Sequence, residues 1–375
     1  MTELYLIRHA EAEGNVYRRT HGHYDSLLTP MGLRQRDALE RRFADIPIDA
    51  CFSSDLTRAC MTAQAICRPK NLPLHRCPEF REVCFGEWED KPFGYIDHFD
   101  MPTMDRFRLD PRSLRLRGGE RFEEYTGRFI GKMTGLAREY DGKTIAIFSH
   151  GAVLRGVLME LFGHGEGGAV PVCDNTGVSH LFYEDGAFRA DYLNDNSHLP
   201  PELSTFRRRG ELLGEELRKQ NMWFQPAGDD LSMLLDLYRE TWLALYGNEE
   251  RLQLGAVEAF AAITRPEYCQ KAMLGDECVG ALLLRKGGRI VFLGLTEPLR
   301  DQGLGAQLLG QAVSRFRAEG CDRITLAVSP RNDRALAFYR KNGFYETGVS
   351  DAAEGYNLEM ALDIGLEHAD VPPME

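Results

Sequence analysis

The clearest fold signal in this chain lies near its amino terminus, where residues 4–15 read LYLIRHAEAEGN. The first five of these residues have the apolar and aromatic character of a buried strand. Arg8 and His9 then stand where this strand is predicted to end. In a parallel α/β sheet the carboxyl ends of the strands line the binding crevice. The pattern therefore predicts a functional Arg-His pair at the edge of a sheet.

Two further segments place a basic residue at a predicted strand-to-helix junction. The sequence SSDLTRACMTA puts Arg58 in the first turn of a helix, and SHGAVLR puts His150 at the start of another. Helix starts favour anions because of their exposed N–H groups and positive dipole end. Between these segments, REVCFGEWED offers the carboxylate of Glu82. Two histidines, two arginines and one carboxylate are a set suited to phosphoryl transfer to an imidazole.

The first 200 residues or so alternate predicted strands with predicted helices. The strands are LYLIR, ACFSS, LPLHR, TIAIFSH, VSHLFYE and FRADYL, and the helices are 31–43, 55–68, 120–139 and 151–162. Such alternation is typical of a largely parallel sheet covered on both faces. We therefore predict an α/β fold, with a three-layer α/β/α sandwich and a mostly parallel sheet in this half.

In combination these motifs resemble the histidine phosphatase family, also called phosphoglycerate-mutase-like. By that resemblance His9 is the nucleophile that becomes phosphohistidine, and Glu82 is the general acid to the leaving alkoxide and then the base for water. Three basic side chains would neutralise charge on the phosphoryl oxygens, namely Arg8, Arg58 and His150. The resemblance also implies four phosphate-lining positions, which are Asn15, His21, Gly22 and Gly151.

Two positions depart from the family pattern, which has Arg-His-Gly followed two positions on by a hydroxyl residue. This chain has Ala10 and Ala12 instead. We expect the missing hydroxyl at Ala12 to weaken phosphate binding by about 1 kcal/mol, the contribution of one hydrogen bond. Since the five principal residues are all present, we expect a working pocket.

Hydrolysis and mutase activity are both compatible with this family. Mutases that resemble it carry a Lys- and Arg-rich segment after the acid, whereas here GEWEDKPFGYIDHF follows, which is typical of the phosphatase branch. The later segment RFRLDPRSLRLRGGER is Arg-rich. We interpret it as a solvated loop and helix face, with a lid for an anionic substrate as the alternative. Hydrolysis is favoured, and a phosphomutase remains the alternative.

The second half carries a separate site signal, LGLTEPLRDQGLGAQLLGQAV at residues 293–313. It combines a strand, a Gly-rich turn and the start of a helix. Glycines let a backbone approach a pyrophosphate closely, and the N–H groups of a helix start bind it. Downstream, ITLAVSPRNDRALAFYRKNGFYETG adds another strand, with Asn332 at the start of a helix and Tyr339 within it.

These two segments resemble the GNAT family of N-acetyltransferases over roughly residues 222–363, a mixed α/β domain. The resemblance implies acetyl-CoA as cosubstrate, a strand 290–295 that splays from its neighbour to bond the pantetheine arm, and Tyr339 as the acid for the departing thiolate. The implied cofactor-binding residues are Leu295, Arg300, Gln302, Gly303, Leu304, Gly305, Ala306 and Asn332. Glu297 is a candidate base, and Asp301 places a negative charge where the family often has glycine.

Composition limits the partners of this chain. Its 375 residues include 45 Lys and Arg against 57 Asp and Glu, and the net charge of −12 argues against nucleic acid as a partner. No apolar run reaches the length of a membrane span, and charged residues interrupt any signal-peptide core near the start. Nine cysteines without C-x-x-C spacing predict reduced thiols in the cytoplasm. The histidines show no metal spacing, so no metal is predicted.

We therefore predict two domains with separate chemistry. The predicted divisions are a phosphatase-like domain (1–203), a linker helix (204–221), a GNAT-like domain (222–363) and a frayed tail (364–375). The leading hypothesis is a bifunctional enzyme that hydrolyses a small phosphorylated metabolite and acetylates a small amine. The alternative is a phosphatase regulated by a catalytically silent acyl-CoA-binding module. The sequence leaves the oligomeric state and both substrates open.

Overall fold

The computed structural model describes residues 1–163, 170, 173–208, 219–353 and 355–370. The strands of the first half are β1 (Thr2–Arg8), β2 (Ala50–Ser53), β3 (Leu74–Arg76), β4 (Thr144–Ser149), β5 (Val178–Glu184) and β6 (Ala187–Asp195). Its helices are α1 (Glu13–Tyr17), α2 (Pro30–Phe43), α3 (Thr57–Lys70), α4 (Phe93–Phe99), α5 (Met101–Leu109), α6 (Phe122–Glu139), α7 (Gly151–Phe162) and α8 (Thr205–Arg208). The strands form a six-stranded sheet in the order β3-β2-β4-β1-β5-β6.

The central strand β1 supplies side chains to both faces of this sheet. It runs parallel to β4, which in turn is parallel to β2, whereas β5 and β6 are antiparallel. Leu4 and Leu6 pack in one core with residues of α6 and α7. Tyr5 and Ile7 pack in a second core with residues of α2 and α3. Because successive strand residues point to opposite faces, these two cores confirm the α/β/α sandwich with a mostly parallel sheet.

The parallel register of the central strands positions the predicted site. β1 ends at Arg8, which pairs with Ser149 at the end of β4. The residues that follow, His9 and His150, therefore leave the sheet side by side at its carboxyl edge. The neighbouring strand β2 leads through a short turn into α3, whose first turn contains Arg58. Three separate stretches of sequence thus converge at one edge of the sheet.

Three short helices of the first half, α1, α4 and α5, were not among the predicted elements. They have five, seven and nine residues. Helices this short are marginal in isolation, so tertiary packing and not periodicity determines them. The last turn of α5, residues 106–109, begins the Arg-rich segment, where a solvated loop and helix face were expected. In this turn, Nη2 of Arg108 lies 3.6 Å from a carboxylate oxygen of Asp97.

The second half has a mixed sheet with helices on it, and this confirms the predicted class. Its strands are β7 (Met222–Pro226), β8 (Cys269–Leu274), β9 (Glu277–Arg285), β10 (Arg289–Leu295), β11 (Arg323–Val328), β12 (Tyr345–Ala352) and β13 (Gly355–Asp363). Its helices are α9 (Ser232–Tyr246), α10 (Leu254–Ile263), α11 (Gly305–Ala318) and α12 (Asp333–Lys341). The strand order is β12-β13-β11-β10-β9-β8-β7.

Strands β10 and β11 are parallel neighbours that separate along their length. Within the described sheet, one pair of residues, Arg289 and Thr325, joins them. β10 then remains paired with β9 as far as Leu295, while β11 pairs with β13. The expected splay of strand 290–295 is therefore present. It leaves one backbone edge of β10 facing an opening in the sheet.

The segment between the two sheets contacts the first half. Of the predicted linker helix 204–221, the structure describes α8 and residues 219–221, and residues 209–218 lie outside the described part. Ser204 donates a hydrogen bond to Asp174, and Gln35 donates to Thr205. These contacts attach the beginning of the segment to the phosphatase-like half.

The expectation of a frayed tail from residue 364 is wrong for its first part. Ile364 is fully buried, and its backbone N–H donates to Asp322. Asp370 accepts a hydrogen bond from Arg68 of α3, so this segment packs back on the first half. The burial of Ile364 directly after β13 and the ion pair of Asp370 with Arg68 hold residues 364–370 in place. Residues 371–375 lie outside the described part. Among the described helices, none has both the length and the apolar character needed to cross a membrane.

Candidate functional site

The side chain of His9 is held in one tautomer at the end of β1. Its Nδ1 lies 2.7 Å from the carbonyl oxygen of Ala10, so Nδ1 carries the proton and donates it. The lone pair of Nε2 is then available as a nucleophile. The residue is 5% exposed, and burial, reinforced by the charges of Arg58 and Arg8, lowers its pKa well below the usual value. The imidazole is therefore neutral at physiological pH, as nucleophilic attack requires.

His150 faces His9 from the start of α7. The centroids of the two rings are 5.1 Å apart. His150 is fully buried, and neither ring nitrogen has a hydrogen-bond partner among the described residues. Burial, followed by the charge of Arg58, lowers its pKa well below the usual value. Buried polar atoms without partners are costly, so this ring is suited to a bound polar group such as a phosphoryl oxygen.

Two arginines bring positive charge to the same place. Arg58 is 1% exposed, and its guanidinium donates to the carbonyl oxygens of Tyr24 (2.9 Å), Gly22 (2.7 Å) and His21 (3.2 Å). The loop formed by residues 21–24 therefore holds this guanidinium in position. A fully buried cation next to two neutral imidazoles strongly favours an anionic ligand.

Arg8 is held at the start of α7. Its Nη1 donates to the carbonyl oxygen of Cys173 at 2.5 Å, while its buried Nε has no partner among the described residues. A Cβ atom on Gly151 would lie 3.0 Å from that Nε. Gly151 is thus needed so that the guanidinium can lie against the first turn of the helix. The predicted pair of Arg8 and Gly151 is brought together in this way.

Glu82 lies beside His150 because its carboxylate caps α7. Its Oε1 accepts from the N–H of Val153 at 2.6 Å, and its Oε2 accepts from Ala152 at 3.0 Å. Its Oε1 also accepts from the N–H of Val83 at 3.0 Å. A carboxylate at a helix start is favoured by the exposed N–H groups and by the helix dipole. The predicted acid is therefore fixed at the same edge of the sheet as both histidines.

Three of the predicted phosphate-lining residues, Asn15, His21 and Gly22, make different contacts around the two histidines. Asn15 accepts a hydrogen bond from Asn175, which contacts the His9 backbone. His21 Nε2 lies 3.4 Å from Asp90, and burial lowers the pKa of His21. The N–H of Gly22 donates to Glu89, so this glycine serves the packing of its loop. The methyl group of Ala12 is buried in an apolar cluster with Leu28 and Met61.

Sequence reasoning missed the segment Asp174-Asn175-Thr176, which supports His9. The side-chain amide of Asn175 donates to the His9 carbonyl oxygen at 3.0 Å. Thr176 has a φ of 57°, a left-handed conformation that a β-branched residue rarely adopts. Strained backbone of this kind occurs where surrounding structure fixes a functional group. The available sequence signal was a run of polar residues directly before strand β5.

In the second half, the loop before α11 forms a backbone cradle. Gly303 has a φ of 80°, and a Cβ atom there would meet no atom within 4 Å, so the space beside it is open. α11 begins at Gly305, and the N–H groups of a first helical turn have no intrahelical acceptor. Arg300 donates to the carbonyl oxygen of Leu295 and pairs with Glu240 at 2.6 Å. Open space, a helix start and an anchored arginine fit a pyrophosphate.

Other predicted residues of this half have structural contacts. The side chain of Asn332 accepts from the N–H of Ala335 at 3.1 Å and caps α12. Tyr339 is largely buried beside Phe344, with ring centroids 5.2 Å apart, and burial raises its pKa to about 12. Its hydroxyl therefore keeps its proton at neutral pH. Asp301 is exposed and has a φ of 60°.

Comparison with protein families agrees with this geometry. Residues 4–196 match the model of the histidine phosphatase superfamily (branch 1), which is more than half of the chain. The chain belongs to this superfamily. Residues 231–344 match the model of the acetyltransferase (GNAT) family. The protein is therefore a histidine phosphatase fused to a GNAT acetyltransferase domain.

Relatives of this histidine phosphatase include enzymes of known name. It is 31% identical over 151 residues to the adenosylcobalamin/alpha-ribazole phosphatase of Salmonella typhimurium, which is 40% of this chain and 75% of that protein. It is 28% identical over 199 residues to the uncharacterized phosphatase PhoE of Bacillus subtilis, which is 53% of this chain and 97% of that protein. The solved structure of Bacillus stearothermophilus YhfR shares 29% identity with a TM-score of 0.50, covering 53% of this chain and 99% of that one.

The carboxyl edge of the sheet in this histidine phosphatase brings His9, Glu82 and three basic side chains together. In the part of the chain that the structure describes, no group of three His, Cys, Asp or Glu side chains could hold a metal ion. The basic side chains at this edge are Arg8, Arg58 and His150, and they are placed to contact a bound anion.

Proposed function

We propose that the first half hydrolyses a small phosphomonoester through a phosphohistidine at His9. Nε2 of His9 attacks phosphorus and the ester P–O bond breaks, while the carboxyl group of Glu82, in its protonated form, gives its proton to the leaving alkoxide and becomes a carboxylate. Water then attacks phosphorus and breaks the N–P bond, and Glu82 takes a proton from that water. Inorganic phosphate leaves, and the imidazole is regenerated. The observation that carries this proposal is the Nδ1–H bond to Ala10, which leaves Nε2 free.

The cations of the pocket have two distinct tasks in this reaction. Arg8 and Arg58 carry permanent charge, and they would bind the phosphoryl oxygens in both ground and transition states. His150 is neutral in the free enzyme. A bound dianion stabilises its protonated form, so we expect substrate to raise its pKa and convert it to a cation. Binding of phosphate is then accompanied by proton uptake.

The test is p-nitrophenyl phosphate hydrolysis by the full chain and by His9→Ala. We expect the substitution to abolish turnover, a loss of at least about 10³-fold for a missing nucleophile. The matched control is His75→Ala, which removes an exposed histidine of β3. Hydrolysis that is undiminished in His9→Ala rules the mechanism out. Phosphate transfer between positions of one substrate, without release of inorganic phosphate, would identify a phosphomutase instead.

For the second half, we propose acetyl-CoA-dependent N-acetylation of a small amine. The backbone from Arg300 to Ala306, including Gln302 and Leu304, would bind the pyrophosphate, and Leu295 on the free edge of β10 would bond the pantetheine arm. Acetyl-CoA supplies the thioester whose acetyl group is transferred. Tyr339 would donate its proton as the C–S bond breaks, and the amine loses a proton to a base or water. Acetyl-CoA turnover with a panel of amines tests this proposal.

A second candidate is a silent acyl-CoA-binding module that regulates the phosphatase. It is favoured by helix α11, which begins in the proposed pyrophosphate loop and contacts the first half through Gly310, Gln311, Ser314 and Arg317. Coenzyme A that changes the phosphatase rate, without any acetyl transfer, would support this candidate. Turnover of acetyl-CoA would support the transferase.

The domain division proposed for these activities is 1–203, 204–221 and 222–363, with a short tail. The six-stranded sheet ends at Asp195, and the seven-stranded sheet begins at Met222.

All nine cysteines are free thiols, which supports a reducing compartment such as the cytoplasm.

A further inference from the structure

Helix α11 of the second half packs directly on α1 of the first half. Tyr17, the last residue of α1, is buried in the hydrophobic core of the second half with Leu309 and Val313. A Cβ atom on Gly310 would lie 2.3 Å from the Cβ of Tyr17. No larger residue fits at position 310 without moving α1. The two helices are therefore in close contact.

Three polar residues on one face of α11 extend this contact towards the phosphatase pocket. Gln311, Ser314 and Arg317 follow one another at a spacing of three, which places them on the same side of a helix. Arg19 of the first half donates to Gln311 at 2.8 Å and to Ser314 at 2.9 Å. Asp90 accepts a hydrogen bond from Ser314 and pairs with Arg19 at 2.7 Å.

Arg317 makes the strongest of these contacts. Its Nη1 and Nη2 donate to the two carboxylate oxygens of Glu13 at 2.9 and 3.1 Å. Both side chains are largely buried, and the pair is bidentate. Glu13 is the first residue of α1, and its carboxylate also accepts from the N–H of Leu27 at 3.2 Å. Arg317 thereby holds the start of α1 from the other half of the chain.

Helix α1 contains Asn15, which connects this contact to the pocket. Its residue Asn15 accepts from Asn175, and Asn175 in turn donates to the backbone of His9. Because α1 has five residues, its position depends on the surface on which it packs. α11 provides that surface. A shift of α1 would therefore move Asn15 and disturb Asn175, which bonds the backbone of His9.

The same arginine lies next to a second part of the pocket. Burial raises the pKa of the Tyr24 hydroxyl, and the charge of Arg317 opposes that shift. The Tyr24 ring packs on His21 with centroids 4.8 Å apart. The carbonyl oxygen of Tyr24 accepts from Arg58 at 2.9 Å. His21 is also 3.4 Å from Asp90, the carboxylate that Ser314 bonds. Through Asp90 and the charge of Arg317, α11 thus acts on His21 and Tyr24 of the loop that holds Arg58.

We propose that Arg317 is a positioning residue of the phosphatase site, supplied by the acetyltransferase domain. It acts through Glu13 and α1 on Asn15, and through the 21–24 loop on Arg58. It lies outside the stretch 4–196 that matches the superfamily model, so the support is a property of the fused chain. The inference rests on the phosphatase function proposed above.

The experiment compares three variants of the full chain with the wild type, using p-nitrophenyl phosphate and orthovanadate, an analogue of the transferring phosphoryl group. Arg317→Met removes the charge, and Arg317→Lys keeps it. The matched control is Arg315→Met on the same helix, whose partners Glu267 and Glu319 both belong to the second half.

We expect Arg317→Met to lower kcat/KM by about ten- to a hundredfold, the loss that small displacements of catalytic groups cause. Inhibition by orthovanadate is expected to weaken by the same factor at a temperature where the variant is fully folded. Arg317→Lys restores most of the loss, and Arg315→Met is unchanged. Folded Arg317→Met with wild-type kinetics and wild-type inhibition overturns the proposal. Absence of His9-dependent hydrolysis in the wild type would instead overturn the proposed function.

A measurement on the wild type keeps the proposal testable if Arg317→Met does not fold. Because coupling between two sites is reciprocal, orthovanadate in the pocket is expected to slow amide hydrogen exchange in α11. The internal control is α9, which packs with α10 and β9 in a separate core of the second half and is expected to exchange at the same rate with and without orthovanadate. Equal exchange of α11 with and without orthovanadate contradicts the coupling.

Discussion

In the phosphatase half the proposed site is a cluster of buried ionisable side chains, whereas in the acetyltransferase half it is mainly the backbone of a strand, a loop and a helix start. The difference extends to composition, because nine of the ten histidines precede residue 204 and none lies between 222 and 363. A site made of side chains depends on each residue in it. A site made of backbone depends on chain path, so single substitutions should have smaller effects there.

Removal of the proposed acid tests this contrast most severely. Glu82→Gln keeps the size of the side chain but cannot transfer a proton. We expect kcat for an alkyl phosphate such as β-glycerophosphate to fall by about 10²–10⁴-fold, the usual contribution of general acid–base catalysis. Hydrolysis of p-nitrophenyl phosphate should fall less, since its leaving group needs no proton. The exposed Glu87→Gln is the control, and equal losses on both substrates would contradict the acid role.

Acid pH should destabilise the phosphatase half. Burial lowers the folded-state pKa of His9, His21 and His150 below the usual 6.5, and lowers that of His198 to about 4. Below pH 6.5 the unfolded chain therefore binds protons that the folded chain does not. The contribution to the free energy of unfolding is fully present above pH 6.5. It is lost below, by about 1.4 kcal/mol per pH unit for each such histidine.

Urea denaturation between pH 7.5 and 5.5 measures this effect. Replacing His198 by Gln should reduce the change in the free energy of unfolding between these two pH values by about 1.4 kcal/mol in total, the share of one histidine whose unfolded state takes up its proton near pH 6.5. Replacing the exposed His75 by Gln should leave it unchanged. A free energy of unfolding that is constant over this range would show that the buried histidines are protonated in the folded state.

In the acetyltransferase half, the side chain with the largest expected effect is Tyr339. Tyr339→Phe should lower kcat for acetyl transfer by about ten- to a hundredfold, at the lower end of acid–base effects because solvent can supply the proton. Phosphatase activity should be unchanged. The exposed Tyr345→Phe is the matched control. Unaltered acetyl transfer in Tyr339→Phe would restrict this tyrosine to packing.

The smallest predicted effect concerns the cradle itself. Asp301 holds a left-handed backbone and places a negative charge near the proposed pyrophosphate site. Asp301→Gly removes both, so coenzyme A should bind about three- to tenfold more tightly by calorimetry. Asp301→Asn removes only the charge and separates the two causes. Weaker binding in both variants would place the pyrophosphate elsewhere.

The sequence was sufficient to predict the positions of side chains that follow predicted strands. His9, Arg58 and His150 could be placed at one edge because a parallel sheet brings its strand ends together. Asn175 could not be foreseen, since its task is to bond a backbone carbonyl distant in sequence. The contact of Tyr17 with Gly310 was equally hidden, because a local pattern carries no information on which surfaces of two domains meet.

The contact between α1 and α11 can form only after both helices have been synthesised. Glu13 and Arg317 are 304 residues apart, so at about 5–20 residues per second roughly 15–60 s separate their synthesis. The six-stranded sheet is complete in sequence at Asp195, long before α11 emerges. With Arg317 as a positioning residue, the nascent phosphatase remains an impaired enzyme until the rest of the chain arrives. We therefore expect full hydrolytic activity only in chains that include α11, and lower activity in products that terminate before it.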